Sequence, residues 1–287
     1  MQSWPATLAV ALCACALPEG HRIPWPPDGA GGAAGQASVG GGGGSPESFE
    51  NAIQWNSACA IASANDSTDL SFGADDFTIE LWYQPLDLPA LGLADGLLTK
   101  GGLYQRPGWT FYVYNDGASR LFFATSTDST TPKVIYTDLT LTVGVRYHIV
   151  LWREGAHAEI WLLDTSIEGQ TMHVLAAAET VDGSWMSDEP LVMGSAVTQP
   201  TPTCVPEATV QGVMDEVRIF ASRRTPSEYD NQYAAPIPPQ TSSLVAYWQM
   251  NASAENAMSD SAGNHDLTVS GALNSDYQWV PSPFATP

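Results

Sequence analysis

Short stretches of alternating apolar and polar residues follow one another from Phe49 onward, and turn residues separate them. In Phe77–Tyr83 every second side chain is large and apolar, as in a strand that buries one face. Trp109–Tyr114 and Arg120–Ala124 flank Asn115-Asp116-Gly117, a turn sequence typical of a β-hairpin. Long runs with apolar residues at helical spacing are absent from the sequence. The pattern predicts an all-β, antiparallel β-sandwich or jelly roll.

The segment Gln211–Tyr233 predicts a strand that leads directly into one short helix near the C-terminal part of the chain. Strict alternation places Val213, Asp215, Val217 and Ile219 on one face of this strand, and Met214, Glu216, Arg218 and Phe220 on the other. Thr225-Pro226-Ser227-Glu228 then supplies an N-cap, a proline at the first helical position and the glutamate of a capping box.

The first 17 residues predict an export signal. Ala6–Leu17 is an apolar run that is too short to span a bilayer but has the length of a signal-peptide core, although Met1–Pro5 lacks Lys and Arg. Leu12-Cys13-Ala14-Cys15 resembles a bacterial lipobox, which makes Cys15 the expected lipidated residue. Ala14-Cys15-Ala16 also satisfies the small-residue rule for ordinary cleavage, so soluble secretion stays open.

Residues 18–45 are rich in Gly, Pro and Ala and predict a flexible tether, which leaves 46–287 as the folded domain. We therefore expect an exported protein, either an outer-membrane or cell-surface lipoprotein or an extracellular protein. Its contact with a membrane is expected only through the N-terminal lipid.

The charge of the chain narrows the choice of partners. Asp and Glu number 31 against 10 Lys and Arg, which gives a formal net charge of −21. Such a field repels nucleic acid and anionic membrane surfaces, whereas it suits divalent cations and solubility. No nucleic-acid partner is expected.

Two of the four cysteines, Cys59 and Cys204, lie outside the signal. In an exported chain, two remaining cysteines point to a disulfide, and the alternative is two separate buried thiols. No Cys-x-x-Cys or Cys/His spacing of a zinc site is present.

Several segments together resemble the laminin-G-like jelly-roll domains of the concanavalin A-like lectin/glucanase superfamily. In chain order they are FGADDFTIELWYQP (Phe72–Pro85), LLTKGG (Leu97–Gly102), VGVRYHIVLWREGAHAEIWLLD (Val143–Asp164), LVMGSA (Leu191–Ala196), QGVMDEVRIF (Gln211–Phe220) and LVAYWQMNASAENAMSDSAGNHDLTVSGA (Leu244–Ala272). The resemblance implies a secreted recognition module of this fold and does not name a ligand.

Glucanases of this superfamily need two carboxylates about 5–5.5 Å apart on one strand face when they retain configuration. Asp215 and Glu216 are adjacent and are expected to face opposite ways, and Asp75 and Asp76 precede a strand. No acid pair has the required spacing, so we expect no catalytic residues.

Calcium is the candidate cofactor. Ser259–Asn264 offers the oxygens of Asp260 and Asn264 around a glycine, and many domains of the resembled family bind calcium. The alternative is that Asp260 caps a turn with its own backbone. Asp215 is a further candidate ligand, with a buried pair to Arg218 or a backbone hydrogen bond as its alternative.

Sugar rings stack on aromatic faces, so exposed aromatic residues are candidate ligand contacts. Trp185 lies in a predicted loop, and Trp109 lies near Tyr104 in the sequence. Each has packing in the core as its alternative. The expected function is non-catalytic binding of a glycan or of an extracellular or cell-surface protein. The alternatives are a structural or adhesion lipoprotein of the envelope without a small ligand, and a divergent glycoside hydrolase.

Overall fold

The computed structural model of the protein describes residues 50–56, 60–101, 107–126, 133–181, 183, 185–195, 209–251 and 256–284. The strands are β1 (Asn51–Trp55), β2 (Ile61–Ala64), β3 (Phe77–Pro85), β4 (Ala94–Gly101), β5 (Gly108–Asn115), β6 (Ser119–Ser126), β7 (Lys133–Tyr136), β8 (Tyr147–Glu154), β9 (His157–Asp164), β10 (Val174–Thr180), β11 (Leu191–Met193), β12 (Gly212–Phe220), β13 (Leu244–Trp248), β14 (Ala257–Met258), β15 (Leu267–Ser270) and β16 (Tyr277–Pro281). A 3-10 turn covers Thr68–Leu70, and helix α1 covers Pro226–Gln232.

These strands form two antiparallel sheets. Sheet A has the order β10-β9-β8-β3-β12-β1-β16, with β13 also paired to β12. Sheet B has the order β14-β15-β2-β11-β4-β5-β6-β7. The predicted antiparallel β-sandwich and its one short helix are confirmed in the described part of the chain.

The core is one continuous apolar cluster to which both sheets contribute. It includes Ile79 and Ile149 of sheet A and Phe111, Phe123 and Met193 of sheet B, all of them fully buried. Alternation explains this membership, because every second residue of a strand points to the same face of its sheet. The two inner faces therefore bury their apolar residues against each other.

Strand β12 departs from the strict alternation that the sequence predicts. Its register with β3 shifts between Asp215 and Arg218, and Glu216 has a positive φ of 52°. A bulge of this kind reverses the faces of the residues that follow it. Met214 and Val217 consequently lie in the same core cluster, although strict alternation puts them on opposite faces. The prediction was wrong from Glu216 onward.

Helix α1 covers part of the outer face of sheet A. Its predicted capping box is present, with the Thr225 N–H donating to Glu228 Oε2 at 2.7 Å. The Glu228 N–H also donates to the backbone carbonyl oxygen of Thr225 at 3.0 Å. Tyr229 of the helix is fully buried against Val150 and Trp152 of β8. Within the ranges given above, no helix combines the length and apolar character needed to cross a membrane.

A buried network of charged side chains holds the chain that follows β12 onto the sheet. Arg218 is fully buried and donates to Glu216 Oε2 at 2.6 Å and to the carbonyl oxygens of Gln232 at 3.0 Å and Ala235 at 2.8 Å. Glu80 of β3 lies 3.6 Å from Arg218 and also pairs with Arg224. Burial raises the pKa of Glu216, although the charge of Arg218 opposes that effect.

Candidate functional site

A polar groove of about 840 Å³ lies where the end of β2, the start of β13 and the loop before β15 meet. Its lining consists of Asn65, Asp66, Ser67, Asp69, Leu244, Val245, Gly263, Asn264, His265, Asp266 and Thr268. We call this set the β2–β15 groove. Most of its side chains carry hydroxyl, amide, carboxylate or imidazole groups, which donate and accept hydrogen bonds. The pairing of β2 with β15 brings its two walls together.

Asp260 shapes one wall of the groove. Its Oδ1 accepts hydrogen bonds from the N–H groups of Tyr247 and Ala262, each at 2.9 Å, and its Oδ2 accepts from the His265 N–H at 3.1 Å. Both carboxylate oxygens are thus committed to donors of the protein. Asp260 thus caps a turn through backbone N–H groups, which was the alternative to calcium binding. Asp260 itself does not line the groove.

His265 joins the two walls. Its Nδ1 lies 3.0 Å from Asp260 Oδ2, and its Nε2 lies 3.2 Å from Asp69 Oδ1 and 3.3 Å from Ser67 Oγ. The imidazole therefore fixes the position of the segment after β2 relative to the loop before β15. This contact adds to the β2–β15 pairing that brings the two walls together.

The acidic residues of the other wall differ in their surroundings. Asp66 pairs with Lys100, whose fully buried ammonium also donates to Glu189 O at 2.6 Å. Partial burial raises the pKa of Asp69, but hydrogen bonds from Ser67 and His265 and the charge of His265 outweigh it and hold the pKa below its ordinary value. A catalytic acid of a glycosidase needs the opposite, a raised pKa. Asp69 is therefore suited to accepting hydrogen bonds as a carboxylate.

The structure places one predicted metal ligand, Asn264, in the lining of the groove. Asp215 lies elsewhere: it is fully buried and accepts from Ser282 Oγ at 2.6 Å and from the Glu216 N–H at 2.8 Å. Asp215 therefore forms a backbone hydrogen bond, which was one of the two alternatives to its role as a metal ligand. Among the described residues, no group of three or more His, Cys, Asp or Glu side chains is arranged around a metal site. Calcium binding stays a prediction.

Two predicted aromatic ligand contacts belong to the core instead. Trp109 is fully buried, and its Nε1–H donates to Leu70 O at 3.1 Å. Trp185 is also fully buried, with the Arg153 guanidinium 4.0 Å from its ring centroid. Neither ring face is open to a sugar, so the prediction was wrong for both, and core packing is their role.

Tyr104, Cys59, Cys204 and Cys15 lie outside the described residues, so their predicted roles stay predictions.

Sequence reasoning did not single out the segment Asn65–Asp69, which supplies one wall of the groove. Its composition resembles any polar turn between strands. Three consecutive residues with oxygen-bearing side chains, Asn65-Asp66-Ser67, could have indicated this wall. The Asp260–Asn264 loop, which the sequence analysis did select, contains the same three residue types.

Comparisons with known proteins agree with this architecture. A laminin G family model of the concanavalin A-like lectin/glucanases superfamily matches residues 59–228. No curated protein matches the chain at a significant level. A solved structure of a candidate carbohydrate binding protein from Bacteroides ovatus aligns with a TM-score of 0.60 at 14% identity, covering 83% of this chain and 61% of that chain. The chain thus spans less than two thirds of the length of that protein.

Two further structures have lower similarity. The heptameric SAP-like pentraxin of Limulus polyphemus aligns with a TM-score of 0.47 at 10% identity, covering 79% of this chain and 97% of that chain. Domains LG4-5 of the mouse laminin α1 chain align with a TM-score of 0.43 at 12% identity, covering 67% of this chain and 48% of that chain. At such identities the likeness concerns the fold alone.

Proposed function

Because this chain belongs to the laminin G family of the concanavalin A-like lectin/glucanase superfamily, we propose that its domain is a non-catalytic module that binds glycans in the β2–β15 groove. The observation that carries the proposal is the groove itself. Its volume of about 840 Å³ is that of a site for an oligosaccharide fragment, and its lining is dense in groups that pair with sugar hydroxyls. The fold shared with the candidate carbohydrate binding protein of Bacteroides ovatus supports it.

The acids near the groove support binding rather than hydrolysis. Asp69 is held as a carboxylate, which can accept hydrogen bonds from two hydroxyls of one sugar ring. The acids Asp215 and Glu216 are buried in β12 and do not line the groove. In this function the acids of the groove bind sugar hydroxyls and take no part in hydrolysis.

A glycan-array screen of the purified protein, followed by calorimetry on the best ligand, tests this function. Asp69→Asn is expected to weaken binding by at least about tenfold, since a hydrogen bond to a charged group is worth about 1.5–3 kcal/mol. Asn264→Ala should weaken it about fivefold, since a neutral hydrogen bond is worth about 1 kcal/mol. Asp138→Asn alters an exposed acid away from the groove and should leave the affinity unchanged. No binding on the array, or equal losses in all three variants, contradicts the proposal.

We also propose calcium as an accessory ligand of the same groove. Asn264, one of the predicted ligands, lines the groove beside the exposed Asp266, and calcium prefers carboxylate and amide oxygens. Repeating the array with calcium and with a chelator tests this point separately. Equal binding in both conditions removes calcium from the proposal and leaves glycan binding intact.

We further propose that the protein is exported and held at the cell surface through a lipid on Cys15. In a bacterial host, the wild-type protein is expected in the membrane fraction and Cys15→Ser in the soluble fraction. Cys13→Ser, which changes the other cysteine of the apolar run, should stay with the membrane. A wild-type protein that is already soluble rules out the lipid anchor.

A further inference from the structure

Three side chains form a continuous chain of hydrogen bonds between helix α1 and sheet A. His173 Nδ1 lies 2.6 Å from Asp230 Oδ1, and His173 Nε2 lies 2.6 Å from His148 Nδ1. The backbone N–H of His173 also donates to Asp230 Oδ1 at 2.9 Å. We call Asp230, His173 and His148 the imidazole chain. It connects α1, the segment before β10 and the outer face of β8.

The positions of the protons follow from the acceptors. Asp230 is a carboxylate that only accepts, so a neutral His173 carries its proton on Nδ1 and presents a lone pair at Nε2. His148 must then donate from Nδ1, which leaves its Nε2 as a second lone pair. His148 is fully buried, and this nitrogen has no hydrogen-bond partner among the described residues. Burial of both rings lowers their pKa values and so favours this neutral pattern in the docked arrangement.

Protonation of either imidazole is unfavourable in this arrangement. Burial lowers the pKa of His148 well below its ordinary value, and the nearby His173, Arg218 and Arg224 lower it further. Burial also lowers the pKa of His173, although Asp230 and then Glu80 oppose that effect. The other titratable side chains facing the pair are Tyr229 of α1 and Tyr233, the residue that follows α1; their rings lie 5.0 and 5.7 Å from that of His173. Neither supplies a compensating negative charge at neutral or acidic pH.

We propose that the imidazole chain is an acid-sensitive latch that holds α1 on sheet A at neutral pH and weakens its hold on mild acidification. When α1 moves away, both imidazoles gain access to water and recover an ordinary affinity for protons. Protons therefore bind the open state in preference to the docked state, and they shift the equilibrium toward opening. Opening would expose the apolar surface of Val150 and Trp152, which Tyr229 covers.

Hydrogen exchange of the full protein, followed by mass spectrometry, tests the latch. With an ordinary pKa of about 6.5 in the open state, His148 alone raises the opening equilibrium about 30-fold between about pH 7.5 and pH 5. After correction for intrinsic exchange, the protection of residues 226–233 should fall by that factor. The protection of β5 and β6 should not change, since they belong to the other sheet.

Two substitutions to glutamine separate the latch from general acid effects. His148→Gln keeps a donor toward His173 Nε2 but cannot bind a proton, so most of the 30-fold response should disappear. His157→Gln alters an exposed histidine on β9 and should retain the full response. Asp230→Asn removes the charge that favours protonated His173, and it should enlarge the response. A response that persists in His148→Gln, or that is absent in the wild-type protein, overturns the proposal.

Proton resonances of the imidazole rings in the wild-type protein give a measurement that does not depend on the folding of a variant. Signals of His148 and His173 should stay at their neutral positions as the pH falls through about 6.5, the ordinary value. Titration of His148 near that ordinary value also overturns the proposal.

Discussion

Replacing Arg218 by methionine is expected to lower the free energy of unfolding by about 3–5 kcal/mol, the usual cost of removing one partner from a buried ion pair. The loss arises because Glu216 is left buried without its cation, and because the carbonyl groups of Gln232 and Ala235 lose their donor. Chemical denaturation at neutral pH measures it. The slope of the transition should not change, because the fold stays the same.

Two further variants identify the cause of that loss. Arg223→Met removes an arginine that is 34% exposed and pairs with the exposed Glu154, and it should cost clearly less than the loss of Arg218. Adding Glu216→Gln to Arg218→Met should recover part of the stability, since a neutral amide is cheaper to bury than an unpaired carboxylate. Similar losses for the two arginine variants would show that the buried network contributes little.

Asp260→Ala is expected to destabilise the protein by about 2–4 kcal/mol, since each buried N–H left without an acceptor costs about 1–3 kcal/mol and this change affects several. The N–H groups of Tyr247, Ala262 and His265 would lose their acceptor. Thermal unfolding in calcium and in chelator measures the effect. We expect the same loss in both, because protein donors occupy both carboxylate oxygens.

Asp260→Asn is the matched control for that substitution. Its remaining oxygen can still accept from Tyr247 and Ala262, so its loss should be clearly smaller. If Asp260→Ala loses more stability in calcium than in chelator, and magnesium gives no such difference, Asp260 is a calcium ligand.

The sequence predicted the strands well where alternation and turn residues act together. Phe77–Tyr83 lies within β3, and the hairpin around Asn115-Asp116-Gly117 joins β5 to β6. The capping box of α1 was also correct, because all of its donors and acceptors lie within a few residues of the chain. Local patterns of this kind do not depend on the rest of the fold.

Features that depend on distant segments were missed. The bulge at Glu216 depends on the pairing of β12 with β3, which no local pattern indicates. Trp109 was a candidate ligand contact with core packing as its alternative, and the structure shows its ring stacked on Phe72 at 5.0 Å. Asn65–Asp69 forms a groove only together with the loop before β15. The spacing of apolar residues in the sequence does not show that these two segments meet.

The wide separation of the two groove walls along the chain governs when the groove can form during folding. Ser67 and His265 lie 198 positions apart, so a ribosome has made most of the domain before the second wall exists. Until β15 is made, β2 lacks one of its two neighbours in sheet B. Contacts between such distant segments form late, because a long loop must first be closed. Chains that end before residue 263 would lack the second wall, so the complete groove can form only after β15 has paired with β2.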